Sequence, residues 1–136
     1  MTVRLLIADD HVVVRAGLKS LLDDVFDIDV VADAADGEEA IRLARRHRPD
    51  VVLLDVRMPG ADGLAVLGQL RTELPGAAVV MFSSYDNPTY IARAVALGAA
   101  GYLVKNASRD DIIGAIRRAA AGEALWSREG LRRVTG

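Results

Sequence analysis

At 136 residues, 51% hydrophobic and 26% charged, the chain has the size and composition of one globular domain with a proper core, not of a disordered segment. A net charge of −2 argues against a general nucleic-acid surface, and the lack of cysteine excludes disulfides and thiolate metal sites while suiting a cytoplasmic home. No stretch approaches the ~20 apolar residues of a membrane span, and Met1–Ile7 has no signal-peptide pattern.

The chain opens on an apolar run, Val3–Ala8, which ends at Asp9, Asp10 and His11. An amphipathic helix follows, with Val14, Leu18, Leu21 and Leu22 on one face. A second run, Ile28–Ala32, precedes Asp36 and Glu39, whose spacing fits a capping box at the next helix start. His47, near the Arg-rich end of that helix, is expected in solvent. The third run, Val51–Leu54, ends at Asp55, and the fourth, Ala78–Phe82, at Ser83. Asn87-Pro88 places a capping residue before a proline suited to a first helical turn. The fifth run, Gly101–Val104, ends at Lys105, one of only two lysines. Ser108 and Asp111 have capping-box spacing before a last helix that turns Ile112, Ala115, Ile116 and Ala119 to one side. Gly98 and Gly122 read as helix stops. The periodic pattern covers residues 1–122; residues 123–136, with Trp126, form a tail or the start of a linker.

Several runs are continuous in Val, Leu and Ile, as strands buried on both faces should be. Strict alternation of such strands with helices predicts an α/β fold: a parallel sheet with right-handed crossovers and helices on both faces. Five units fit the flavodoxin-like (βα)5 sandwich of strand order 2-1-3-4-5, whose ligands bind at the carboxyl ends of the strands. Strands one and three are then neighbours, so Asp9, Asp10 and Asp55 converge, with Ser83 and Lys105 approaching from the next two strands. Two carboxylates about 4 Å apart repel by roughly 4 kcal/mol at an effective dielectric near 20. Such a cluster suits a divalent cation, and magnesium prefers carboxylate, water and phosphate oxygens. Asp55 is the candidate nucleophile, since a carboxylate attacking phosphorus forms an aspartyl phosphate. The metal and Lys105 would neutralise the transferring oxygens while Ser83 donates a hydrogen bond.

The segments IADDH, LLDVRMPGADG, VVMFSS and GAAGYLVKN resemble, in order and separation, the motif set of response-regulator receiver domains of bacterial two-component systems, over about Val3 to Ala121. The histidine after the acidic pair, DVRMPGADGL and GAAGYLVKNAS further resemble the subfamily that carries a LuxR-type helix-turn-helix, often named after nitrate regulators. The resemblance implies a phosphoacceptor domain that is not an enzyme beyond its own phosphorylation and dephosphorylation. It implies that Asp55 accepts the phosphoryl group. Asp10, Asp55 and the backbone carbonyl of Arg57 would bind Mg2+ directly, and Asp9 through water. It makes Lys105 the phosphate-binding lysine, Ser83 the switch hydroxyl and Tyr102 the switch aromatic. The implied partners are a sensor histidine kinase and a second copy on phosphorylation. DNA would be contacted only through a C-terminal domain outside this chain, and no membrane partner is implied.

His11 is expected to pack near a helix start, because magnesium disfavours imidazole. Arg57 and Tyr85, each two positions past a site residue, are expected to rim the pocket. A flavodoxin-like cofactor enzyme would need a phosphate-cradling loop where Asp9-Asp10-His11 stand. An aspartate-nucleophile phosphatase would want a second acid where Arg57 stands.

Overall fold

The computed structural model describes residues 2–58, 60–84 and 87–125, with the backbone alone at Ala61; Tyr85, Trp126 and the rest of the tail lie outside the described residues. Seven strands and five helices alternate along them: β1 (Val3–Ala8), α1 (Val12–Leu22), β2 (Ile28–Ala34), α2 (Gly37–His47), β3 (Val51–Asp55), β4 (Arg57–Met58), β5 (Ala61–Asp62), α3 (Gly63–Glu73), β6 (Ala78–Ser83), α4 (Pro88–Ala96), β7 (Gly101–Val104) and α5 (Arg109–Ala120). Five strands form one sheet in the order β2-β1-β3-β6-β7, all paired in parallel. Counting that sheet alone, the order is the expected 2-1-3-4-5. The β4–β5 hairpin, two residues a side, is an addition that periodicity did not predict.

The continuous apolar runs are explained by burial on both faces. Along β3, Val52 and Leu54 join one core with Leu67, Leu70 and Ala94, while Val51 and Leu53 join another with Leu18, Leu22, Ile112 and Ile116. Thus α2, α3 and α4 cover one face and α1 and α5 the other. Burying each such side chain contributes about 1.5–3 kcal/mol, so the sheet interior is the main source of stability.

The expected capping residues each accept from the start of their helix, while the reciprocal half of the box is shifted at Asp36–Glu39. Asp36 accepts from the Glu39 amide at 2.8 Å, but Glu39 reaches back to the Ala35 amide at 3.1 Å, one residue earlier than a capping box requires. Ser108 accepts from Asp111, and Asn87 from Thr89 and Tyr90 with Pro88 at the first turn. Gly98 and Gly122 stop α4 and α5 in left-handed conformations (φ 91° and 84°). Beyond α5, the Leu125 amide donates to Ala100 O at 2.8 Å and its side chain lies over Gly101, where a Cβ would sit 2.5 Å from Leu125 Cδ1.

Candidate functional site

β1 and β3 run parallel in register from Leu5 beside Val51 to Ala8 beside Leu54. The residues that follow, Asp9 and Asp55, therefore emerge side by side, and both are buried. Asp10 comes next along the chain, with its side chain 28% exposed. One ligand atom from each of Asp9, Asp10, His11 and Asp55 lies within 4.8 Å of the others. Charges this close need an opposite charge.

Lys105 supplies part of it. Its Nζ stands 2.7 Å from Asp9 Oδ2 and 3.2 Å from Asp55 Oδ2, with the side chain 15% exposed. The lysine arrives through register: β7 sets Val104 beside Ser83, and the Lys105 amide then donates to Ser83 O at 2.7 Å. Burial alone would pull the Lys105 pKa down; its contacts with Asp9 and Asp55 outweigh that and raise it, so the ammonium stays charged. Asp55 is pushed up, first by burial and also by the charge of Asp9, against the Arg57 amide and Lys105. The Arg57 amide donates to Asp55 Oδ1 at 3.2 Å.

One lysine does not complete the arrangement. Asp9 Oδ2 and Asp10 Oδ1 are buried yet accept no aligned hydrogen bond, although Lys105 and His11 Nδ1 (3.1 Å from Asp10 Oδ1) are within ion-pair reach. Buried oxygens are normally satisfied. Oxygens short of aligned donors in a set of hard carboxylates fit a small, oxygen-preferring divalent cation.

His11 departs from expectation. Its ring is 64% exposed rather than packed, and Nδ1 lies 3.1 Å from both Asp9 and Asp10. It occupies the N-cap of α1 without a side-chain capping bond. The Arg57 side chain is exposed, and His47, expected in solvent, is half-buried. Ser83 and Tyr102 come together. Met81 is paired with Tyr102, so Ser83, two residues on, faces the same side; both line a cavity of about 390 Å³ with Arg57 and Tyr90.

Two supporting residues were not expected from sequence. Gly63 starts α3 so close to the site strand that a Cβ would lie 2.5 Å from Val56 O. A glycine right after the capping Asp62 was the available signal. Arg15 reaches back from α1 to Asp9 O at 2.7 Å while its Nε meets Asp33 at 2.9 Å. Its only signal was an arginine one turn beyond the acidic pair.

This geometry agrees with the comparisons to known proteins. Residues 5–117 match the response regulator receiver domain family. Over 123 residues the chain is 40% identical to the nitrate/nitrite response regulator protein NarL of Escherichia coli K12, covering 90% of this chain and 57% of that protein. Over 129 residues it is 37% identical to the response regulator protein VraR of Staphylococcus aureus Mu3, covering 95% of this chain and 62% of that one. It thus spans less than two thirds of these relatives. The crystal structure of a LuxR-family two-component response regulator from Aurantimonas superposes with a TM-score of 0.89 at 30% identity, over 98% of this chain and 96% of that one. The chain belongs to the response-regulator receiver family, among the LuxR-type two-component regulators that include NarL and VraR.

Proposed function

We propose that this chain is a Mg2+-dependent phosphorylation switch whose acceptor is Asp55. The observation that carries the reading is Lys105 Nζ bridging Asp9 and Asp55 beside a third carboxylate, Asp10, whose buried Oδ1 has no aligned donor. Asp10, Asp55 and the Arg57 carbonyl would hold the cation, with Asp9 acting through water. When bound, Mg2+ supplies positive charge against the oxygens of the transferring group.

The other steps belong to the chain's own residues. A phosphoryl group leaves a nitrogen of a sensor histidine kinase as its new bond to an Asp55 oxygen forms. Transfer of this kind needs in-line positioning and charge neutralisation more than covalent chemistry. The Arg57 amide and Lys105 orient the Asp55 carboxylate before transfer; afterwards Lys105 pairs with the phosphoryl oxygens. Ser83 donates a hydrogen bond to them, and Tyr102 repacks into the neighbouring cavity. That coupling biases a conformational equilibrium by a few kcal/mol. Arg57 rims the pocket and limits attack by water.

The domain, residues 1–122, would dimerise on phosphorylation in the cytoplasm and turn over no external substrate. DNA would be bound by a further C-terminal domain reached through residues 123–136. No helix among the described residues is long and apolar enough to cross a membrane.

Incubation with Mg2+ and acetyl phosphate tests the reading. Intact-mass measurement should show a base-labile phosphoryl adduct on wild type and none on Asp55→Asn. A wild type without adduct, or an Asp55→Asn protein with as much, overturns it.

A further inference from the structure

We propose that Arg15 is a positioning residue for the acidic site: its guanidinium fixes the Asp9–Asp10 peptide and so sets the direction in which both carboxylates meet the cation. The inference rests on the Mg2+-dependent reading above. Arg15 lies one turn into α1, its amide bonded to His11 O at 3.1 Å, and its side chain is only 16% exposed. Nη1 donates to the carbonyl of Asp9 at 2.7 Å, and Nε donates to Asp33 Oδ2 at 2.9 Å. Asp33 stands on β2 beside Ile7, and its other oxygen takes Lys19 Nζ at 3.2 Å. The guanidinium is thus held from behind while it holds the loop in front.

The Asp9 amide is fixed too, donating to Ala34 O at 3.0 Å. The peptides on both sides of Asp9 are therefore anchored, one by β2 and one by Arg15. The Asp9 carbonyl and the Asp10 amide share one rigid plane, so turning that plane redirects the Asp10 side chain. Asp10 Oδ1 is one of the two buried oxygens without an aligned donor. Charge-assisted bonds are roughly twice as strong as neutral ones, and a guanidinium holds its donors in a rigid planar fork where an ammonium is a point charge on a flexible stem. Outer partners of this kind change metal affinity by about 10–100-fold.

A merely structural Arg15 would tie α1 to β2 and lower stability without altering Mg2+ affinity. The full 136-residue chain separates the two by calorimetric Mg2+ titration and by the Asp10 amide resonance before Mg2+ is added. Arg15→Met should bind Mg2+ about tenfold more weakly with the Asp10 amide already shifted. Arg15→Lys should recover only part of that loss. Arg117→Met, which removes an ion pair at the other end of the sheet, should bind as wild type does. A folded Arg15→Met protein within about twofold of wild type overturns the proposal. Should Arg15→Met not fold, Asp33→Asn is read by the same criterion. Wild type that binds no Mg2+ removes the functional reading itself; wild type and variants that bind alike remove only the role of Arg15.

Discussion

At the carboxyl ends of the strands, Asp9 and Asp55 share one ammonium, 2.7 and 3.2 Å away, and a third carboxylate stands beside them. At the amino ends, Arg117 gives two guanidinium nitrogens to Asp27 alone, at 2.9 and 2.8 Å, near the surface. There Arg4 also bonds the Asp50 carboxylate through its amide and the His47 carbonyl through its side chain. One end concentrates like charge where water is scarce, and the other pairs opposite charge where water is plentiful. The first arrangement opposes folding and suits a cation; the second supports folding weakly and asks for nothing more.

The contrast can be broken most strongly at Lys105. Lys105→Met leaves two buried acids without their cation and should lower stability by about 3 kcal/mol in Mg2+-free urea melts. Mg2+ should restore part of the loss, because a ligand of the folded state stabilises it by mass action. An unchanged urea midpoint would mean the acids do not depend on the lysine.

A smaller effect of opposite sign is expected at Asp55. Burial and Asp9 raise its pKa, so the stability it contributes is present below the ordinary carboxylate value and lost as pH rises through the raised one. At neutral pH the charged form therefore opposes folding. Asp55→Asn should stabilise the Mg2+-free protein by roughly 1 kcal/mol, a few degrees in Tm. Thermal melts at falling pH should show that gain shrinking.

The smallest change belongs to the other end. The hydrogen bond from Arg117, with its charge, holds the Asp27 carboxyl below its usual value against opposing burial. That contribution is present above the ordinary carboxylate value and disappears as pH falls through the lowered one. Arg117→Met should cost a little stability at neutral pH. Its melts should converge with wild type in acid and in high salt.

Much of this contrast is legible in the chain. Parallel strands buried on both faces must be apolar along their length, so their ends stand out wherever Asp55, Ser83 or Lys105 interrupts the run. What register brings together is harder to read. Arg15 meets Asp33 after a bulge in β2, where an extra residue, Val31, falls between the partners of Leu5 and Leu6 and so changes which face the following residues take. The β4–β5 hairpin is too short to show a period. His11, expected to pack, instead leaves its ring exposed over the acids, and a χ1 rotation that sequence does not specify separates the two arrangements. Gly63 matters only because another backbone passes close by.

Leu125 on Gly101 fastens the segment after α5 to the strand that leads to the site. Leu125 is pinned to the start of β7 by its amide and its side chain, and the same strand carries Tyr102 and leads into Lys105. Gly101, which seats Leu125, and Lys105, which follows β7, are four residues apart along the chain. A side chain at position 101 would displace the leucine and unfasten this segment from β7. The missing Cβ therefore acts as a latch: it leaves the space that seats Leu125 against β7.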